Sequence, residues 1–290
     1  MPTLLIPDDF SLEEFVKFSS FNSCEDLTID FEASNFVYPS GLIPLVNLAK
    51  QVTNKGYRVN IVNESSDLKS YLARMDFYQC IGHKVNAQNR NTPANRFVEI
   101  YSFDKGVGDN ELMHKGTEIV SCLSKEIPSE HRYNVGQALA FCISEIIDNA
   151  KVHSKADEIC LMAQNYPQKG FVEFCVADNG IGMRESLQTK TTEEALINSI
   201  NHSVKGTESP GAGNGLYLSS QMIRNGESAK SELLLYSERR YLDISENELF
   251  LHQSLLDWQG TVVVLRVAYD ISGDFEKTMG YDPPSLISYD

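Results

Sequence analysis

Glu145, Asn149 and His153 follow one another at intervals of four, so a helix through this stretch stacks an acid, an amide and an imidazole along one edge. An edge of that kind can hold a metal–phosphate group. The amide oxygen of Asn149 can complete an oxygen shell around Mg2+, and Glu145 can orient a water as a general base. The alternative is a solvated polar stripe of the sort most helices turn outward. A second stretch, Phe171 to Gly182 (FVEFCVADNGIG), alternates as a strand and delivers the carboxylate of Asp178 just before Gly180 and Gly182. That carboxylate can accept from an exocyclic amine, while the glycines let a ring lie close to the main chain; a plain DNG hairpin turn is the competing explanation. In a third stretch, Gly211, Gly213 and Gly215 precede Leu216 and open a helix running through Ile223. Backbone N–H groups at the positive end of such a helix are a seat for a di- or triphosphate. The glycines do not follow a strand of a βαβ unit, and GxxxxGK[ST] is absent, so neither a Rossmann site nor the usual P-loop is indicated.

The elements that must position these residues begin with two helices, Glu111 to Ile127 and, after Pro128, Asn134 to His153; Leu139, Ile143, Ile146, Ile147 and Ala150 form the apolar face of the second. The first third of the chain reads differently, as alternating strand and helix. LTIDF (27–31) has the period of a half-buried strand, and Asn35 to Val37 can continue it. Gly41 to Asn54 places Leu42, Leu45, Leu48, Ala49 and Val52 on one helical face before Gly56, and Tyr57 to Val62 is a strand. Ser65 or Ser66 caps a helix carrying Leu68, Leu72 and Met75, and Phe97 to Phe103 closes this small α/β unit. The polar stretch from Cys80 to Arg96 reads as a loop, and DKGVGDN (104–110) as a boundary between two domains, 1–105 and 106–290.

Composition narrows the function. With 290 residues, 42% hydrophobic and 22% charged, the chain can bury one or two cores. A formal charge of −15 would repel a phosphate backbone or an anionic membrane, so neither nucleic acid nor a membrane surface is expected as a partner. The six cysteines never form CxxC and mostly have apolar neighbours, which fits reduced cytoplasmic thiols. The first ten residues carry no basic start, and no run of eighteen apolar residues occurs, so neither a signal peptide nor a membrane span is expected. Trp258, Tyr236 and Tyr241 read as sheet or packing residues, and His202 and His252 as surface histidines.

Taken together and in order, residues 106 to 270 resemble the GHKL ATP-binding fold of gyrase, MutL, histidine kinases and anti-sigma serine kinases. Glu145-x-x-x-Asn149-Ala150-x-x-His153 is similar to the N box, Asp178-x-Gly180-x-Gly182 to the first glycine box, and Gly211-x-Gly213-x-Gly215-Leu216 to the second. Gly260-Thr261-Val262-Val263 stands where the family carries an adenine-supporting threonine. The resemblance implies ATP and Mg2+ as cofactors, with Asn149 on the metal, Glu145 as the base, Asp178 on the adenine amine and Thr261 supporting it through water. It also implies a mobile lid over residues 183–210, in which Lys205 would contact phosphate or stand merely solvated. The implied fold is α+β: a GHKL sandwich whose mixed sheet is covered by helices on one face.

Residues 1–105 are similar to a STAS domain, the fold of anti-sigma antagonists, but Tyr38 and Pro39 stand where that family has an aspartate and a first serine. Ser40 alone remains, and it reads better as a helix N-cap than as a phosphorylation site. His114 lacks the acidic neighbour of a phosphoacceptor histidine. The expected function is that of a cytoplasmic Mg-ATP-binding signalling protein, a serine/threonine kinase or ATPase of the anti-sigma-factor type acting on a protein partner. Its oligomeric state is left open, a homodimer included. The competing function is a non-catalytic interaction module in which ATP is structural and the STAS-like unit recruits a partner.

Overall fold

The computed structural model describes residues 1–19, 24–83, 96–201, 215–246 and 248–271. The polar stretch expected as a loop lies largely outside them. The N-terminal unit runs β1 (Thr3–Leu5), α1 (Leu12–Phe15), β2 (Leu27–Asp30), α2 (Pro39–Asn54), β3 (Val59–Val62), α3 (Ser66–Arg74) and α4 (Phe77–Cys80). Its three strands are parallel in the order β1-β2-β3, and a parallel pair needs a crossover, which α2 supplies between β2 and β3. Pro39 opens α2, two residues ahead of the expected Gly41, because a proline's missing N–H is harmless in the first turn. Ser65 caps α3 by accepting from the Leu68 N–H.

The second unit continues with β4 (Phe97–Phe103), α5 (Asp109–Ser124), α6 (Ser129–His153), β5 (Ile159–Tyr166), β6 (Phe171–Asp178), α7 (Gly182–Ser186), α8 (Thr192–Ser199), α9 (Gly215–Asn225), β7 (Glu232–Ile244) and β8 (Leu249–Ala268). The sheet order is β4-β5-β6-β8-β7. Every pairing in it is antiparallel, not mixed as expected, because β5–β6 and β7–β8 are joined by short turns that reverse the chain. The strand expected to close the first unit, β4, pairs instead with β5 and forms an edge of this second sheet.

Helices lie on both faces of the sheet, another departure from expectation. The side chains of β6 alternate between two cores, as the period of a strand requires. Val172, Phe174 and Val176 join Leu139, Ile143 and Ile146 of α6. Cys175 and Ala177 face the other way, into a core with Leu42, Leu45 and Val46 of α2. All eight residues of β6 are therefore buried, and α2, expected to be amphipathic, is buried at every position from Pro39 to Ala49.

A cluster of charged groups lies on the α2 side. Glu173 is wholly buried; its Oε1 accepts the Ser40 N–H at 2.9 Å and its Oε2 accepts from Arg266 at 2.7 Å. Arg266 also pairs with Glu232. Ser40 is thus not the N-cap, which is Tyr38; it sits inside the first turn with a buried, unpartnered hydroxyl. That burial withholds it from a kinase. Glu173→Ala leaves Arg266 with one carboxylate and the first turn of α2 without its acceptor. It is expected to destabilise the fold by about 3 kcal/mol, the scale for removing one member of a buried ion pair. Urea unfolding checks this, and an unchanged midpoint would remove Glu173 as the link between α2 and the sheet.

Candidate functional site

Along α6, Ile146, Ile147 and Ala150 are buried while Glu145, Asn149 and His153 share a half-buried edge. The start of α9 lies directly against that edge. A Cβ built on Gly215 would come 2.0 Å from Glu145 Oε2 and 2.8 Å from Glu145 Cβ, so only glycine allows the approach. Leu216, the next residue, is anchored in the α6-side core. The first and third chemistry-bearing segments therefore meet. Burial, and then the charge of Asp148, raises the Glu145 carboxyl above the ordinary carboxylate range, which strengthens it as a base. Burial lowers the His153 imidazole and favours its neutral form.

Just past the C-terminus of α6, at Ser154, the chain leaving β6 is fitted around Asp178. This residue is 3% exposed, and its Oδ1 accepts the N–H groups of Gly180 at 2.8 Å and Thr261 at 3.3 Å. Among the described residues no hydrogen bond goes to its other carboxylate oxygen, which leaves an acceptor for a donor from outside. Burial pushes its carboxyl up to about 7, against the two N–H groups that pull it down. Gly180 sits where a Cβ would lie 1.9 Å from the Ser154 carbonyl oxygen, which accepts the Ile181 N–H. Gly260, at φ +103, passes so close that a Cβ would meet the Asp178 carbonyl oxygen at 2.1 Å. Ser237 completes the frame: its hydroxyl donates to the Gly260 carbonyl at 2.8 Å and accepts the Met183 N–H at 3.1 Å, beside Gly182 at φ +73. The chain after Asp178 enters α7 and does not return as a strand, so the hairpin-turn explanation fails.

Thr261 thus reaches Asp178 directly through its backbone N–H. Gly260, Ser154 and Ser237 were not among the expected site residues. Gly260 carried the usable signal, a glycine inside an apolar strand, which often marks a close backbone approach. The two serines carried none, since each acts by closing a contact distant in sequence. Asn179, next to Asp178, keeps a buried side-chain oxygen without a partner.

Lys205, Gly211, Gly213 and His202 lie outside the described residues, as does the later part of the expected lid, 202–210. Its earlier part is held to β7, where Glu238 accepts from Arg184 and Thr192, and Arg240 pairs with Glu193. A separate groove of about 760 Å³, walled by Gln51, Arg184, Glu193, Arg240 and Gln259, touches the site only through Ile181 and Gly260. Among the described residues no three His, Cys, Asp or Glu side chains are grouped to hold a metal unaided. No described helix is long and apolar enough to cross a membrane.

Residues 134–268 match the family model described as histidine kinase-, DNA gyrase B- and HSP90-like ATPase. That stretch, just under half of the chain, is similar to a GHKL ATPase domain. It contains most of α6 and all of β5, β6, α9, β7 and β8, and so every described residue of the site. No curated protein matches the chain.

The raised carboxyl of Asp178 gives two pH effects of opposite sign. Its folded-state value, about 7, exceeds the ordinary value of 3.8, so the stability it contributes is full in acid and is lost as pH rises through 7. An adenine amine favours the ionised carboxylate, so ATP affinity should rise over the same interval. Asp178→Asn is expected to remove both dependences and to weaken ATP binding by about 1.5–3 kcal/mol, the scale of a hydrogen bond to a charged group. Calorimetric titrations and thermal melts from pH 5 to 9 check both; unchanged affinity in the variant would sink the assignment.

Proposed function

We propose that the chain binds Mg-ATP on the edge formed by α6, the turn after β6 and the start of α9, and uses it in signalling. Transfer of the γ-phosphoryl group to a serine or threonine of a protein partner is the leading chemistry, with hydrolysis as its variant. The observation that carries this reading is the convergence, along the C-terminal part of α6, of Gly215 on Glu145 and, just beyond His153, of Gly180 on Ser154, with Gly180 and Gly260 closing on Asp178. The residues suit the ligand. The Asn149 amide would give Mg2+ an oxygen ligand, and the Glu145 carboxylate one turn away would suit a general base. Backbone closeness that excludes a Cβ fits a flat ring against the turn.

In this reading Asp178 accepts from the adenine amine and Asn149 gives its side-chain oxygen to Mg2+. Glu145 takes the proton from the attacking hydroxyl or water, aided by its raised carboxyl. When bound, Mg2+ neutralises charge on the phosphates, and the chain's own work is then largely positioning. His153 borders the same edge as a neutral donor or acceptor. Lys205, Gly211 and Gly213 would complete the phosphate end.

The described residues from 1 to 83 form the attached α/β unit, which we regard as STAS-like on its alternating strand–helix order. We place the division ahead of Phe97 because β4 pairs in the second sheet. Its buried Ser40 speaks against an internal phosphoacceptor, so the acceptor would belong to a partner. A cytoplasmic location is part of this proposal, on the six free cysteines, three of them buried.

Asn149→Ala should weaken ATP binding far more with Mg2+ than without it, and an equal loss in both conditions would make Asn149 a structural residue. Glu145→Ala should keep ATP bound and lower turnover or transfer by about 10²–10⁴-fold, the range of a positioned general base. Nucleotide binding measured beside release of labelled phosphate separates the two readings. Wild type that binds ATP without turnover or transfer would favour the non-catalytic interaction module.

A further inference from the structure

The carboxylate read as the adenine acceptor stands at the end of a strand that is held along its length from the opposite side of the sheet. Helix α2 runs beside β6. Near its start the Ser40 N–H meets Glu173, and two turns later Asn47 reaches Ala177. Seven helical residues rise about 10 Å and four strand residues about 13 Å, so the two elements keep step. Asn47 is 3% exposed, deep in an otherwise apolar face. Both ends of its amide are used: Nδ2 donates to the Ala177 carbonyl at 3.4 Å, and Oδ1 accepts from Gln51 at 3.2 Å. One turn on, Lys50 binds Glu158 and Ser102 and ties the helix to the neighbouring strands.

The partner of Asn47 matters because of the peptide bond's rigidity. The carbonyl of Ala177 and the N–H of Asp178 belong to one planar unit. A donor fixed on that carbonyl therefore restrains the plane from which the Asp178 side chain departs. The opposite side of the same residue is restrained by Gly180 and Thr261. We propose that Asn47 is a positioning residue for Asp178, and that the N-terminal unit, through α2, sets nucleotide affinity from behind the sheet. This rests on the reading of Asp178 as the adenine acceptor. Anything that loosens the seat of α2 then weakens ATP binding without touching the nucleotide.

The test uses the full chain with Asn47→Leu, which keeps the volume and removes the donor, and Val52→Ala, a buried α2 variant that leaves the Asn47 amide in place, as a control for lost packing. Two readouts are taken. Amide hydrogen exchange without nucleotide reports the Gly180 and Thr261 N–H groups that Asp178 accepts. Calorimetry reports ATP affinity with and without Mg2+, and affinity for GTP. In Asn47→Leu, exchange at Gly180 and Thr261 should quicken relative to Ile181, whose N–H is held by Ser154. ATP affinity should fall about 3–10-fold, the scale of one net hydrogen bond. The loss should be the same with and without Mg2+, and the preference for ATP over GTP should shrink. Equal exchange at the three amides, or an affinity loss matched by Val52→Ala, overturns the proposal. If wild type binds no ATP while the exchange difference stands, the adenine reading fails and the mechanical link between Asn47 and Asp178 survives it.

Discussion

A wholly buried carboxylate, Glu173, accepts on one side from the first turn of α2 and on the other from Arg266. Desolvating a carboxylate is costly unless donors replace the lost water. Here a helix N-terminus, with its unpaired N–H groups and positive dipole end, supplies one donor and a guanidinium supplies the others. The arrangement satisfies Glu173 only while α2 lies on the sheet, which makes the seating of the N-terminal unit a condition of the central strand's burial. From that follow the burial of β6 on both faces and of α2 all round, and a core shared between the two units.

The same strand ends in Asp178, which we propose recognises the nucleotide, and there the constraint changes from charge to space. Three backbone segments crowd Asp178: the end of α6 at Ser154, the turn through Gly180 and Gly182, and the passage of β8 at Gly260. Side chains at those glycines would overlap main-chain or hydroxyl atoms, so the site is made by how closely backbones approach and only then by what Asp178 offers. The high carboxyl value of Asp178 is a by-product of that crowding, since excluding water raises it more than two N–H groups lower it.

What could be read in advance divides along the same physical line. The i, i+4 spacing of Glu145, Asn149 and His153, the strand ending at Asp178 and the helix opening at Gly215 are local features, and local periodicity reports them. The antiparallel sheet, the transfer of β4 to it and the cover on its second face depend on pairing between distant segments, about which alternation says nothing. FVEFCV looks half-buried by period because Glu173 interrupts it; its neutralisation by Ser40 and Arg266 is invisible until the fold brings residues 133 positions apart together. Ser40 was misplaced for a related reason, since Tyr38 and Pro39 start the helix earlier than a serine cap would. Ser237 and Asn47 had no local signature at all.

The sheet order has a kinetic side. β8, among the last described segments of the chain, lies between β6 and β7 and not at an edge. Until residues 249–268 have been synthesised, β6 lacks a neighbour on one side, and Glu173 lacks the arginine that shares its charge. Non-local pairings of this kind are slow to form because a long loop must close before any contact rewards it. A nascent chain would therefore carry an assembled but uncovered α2 face for much of its synthesis. Folding of the N-terminal unit then becomes complete only with the arrival of a strand made some two hundred residues later, a delay during which apolar surface invites chaperones or association with other chains.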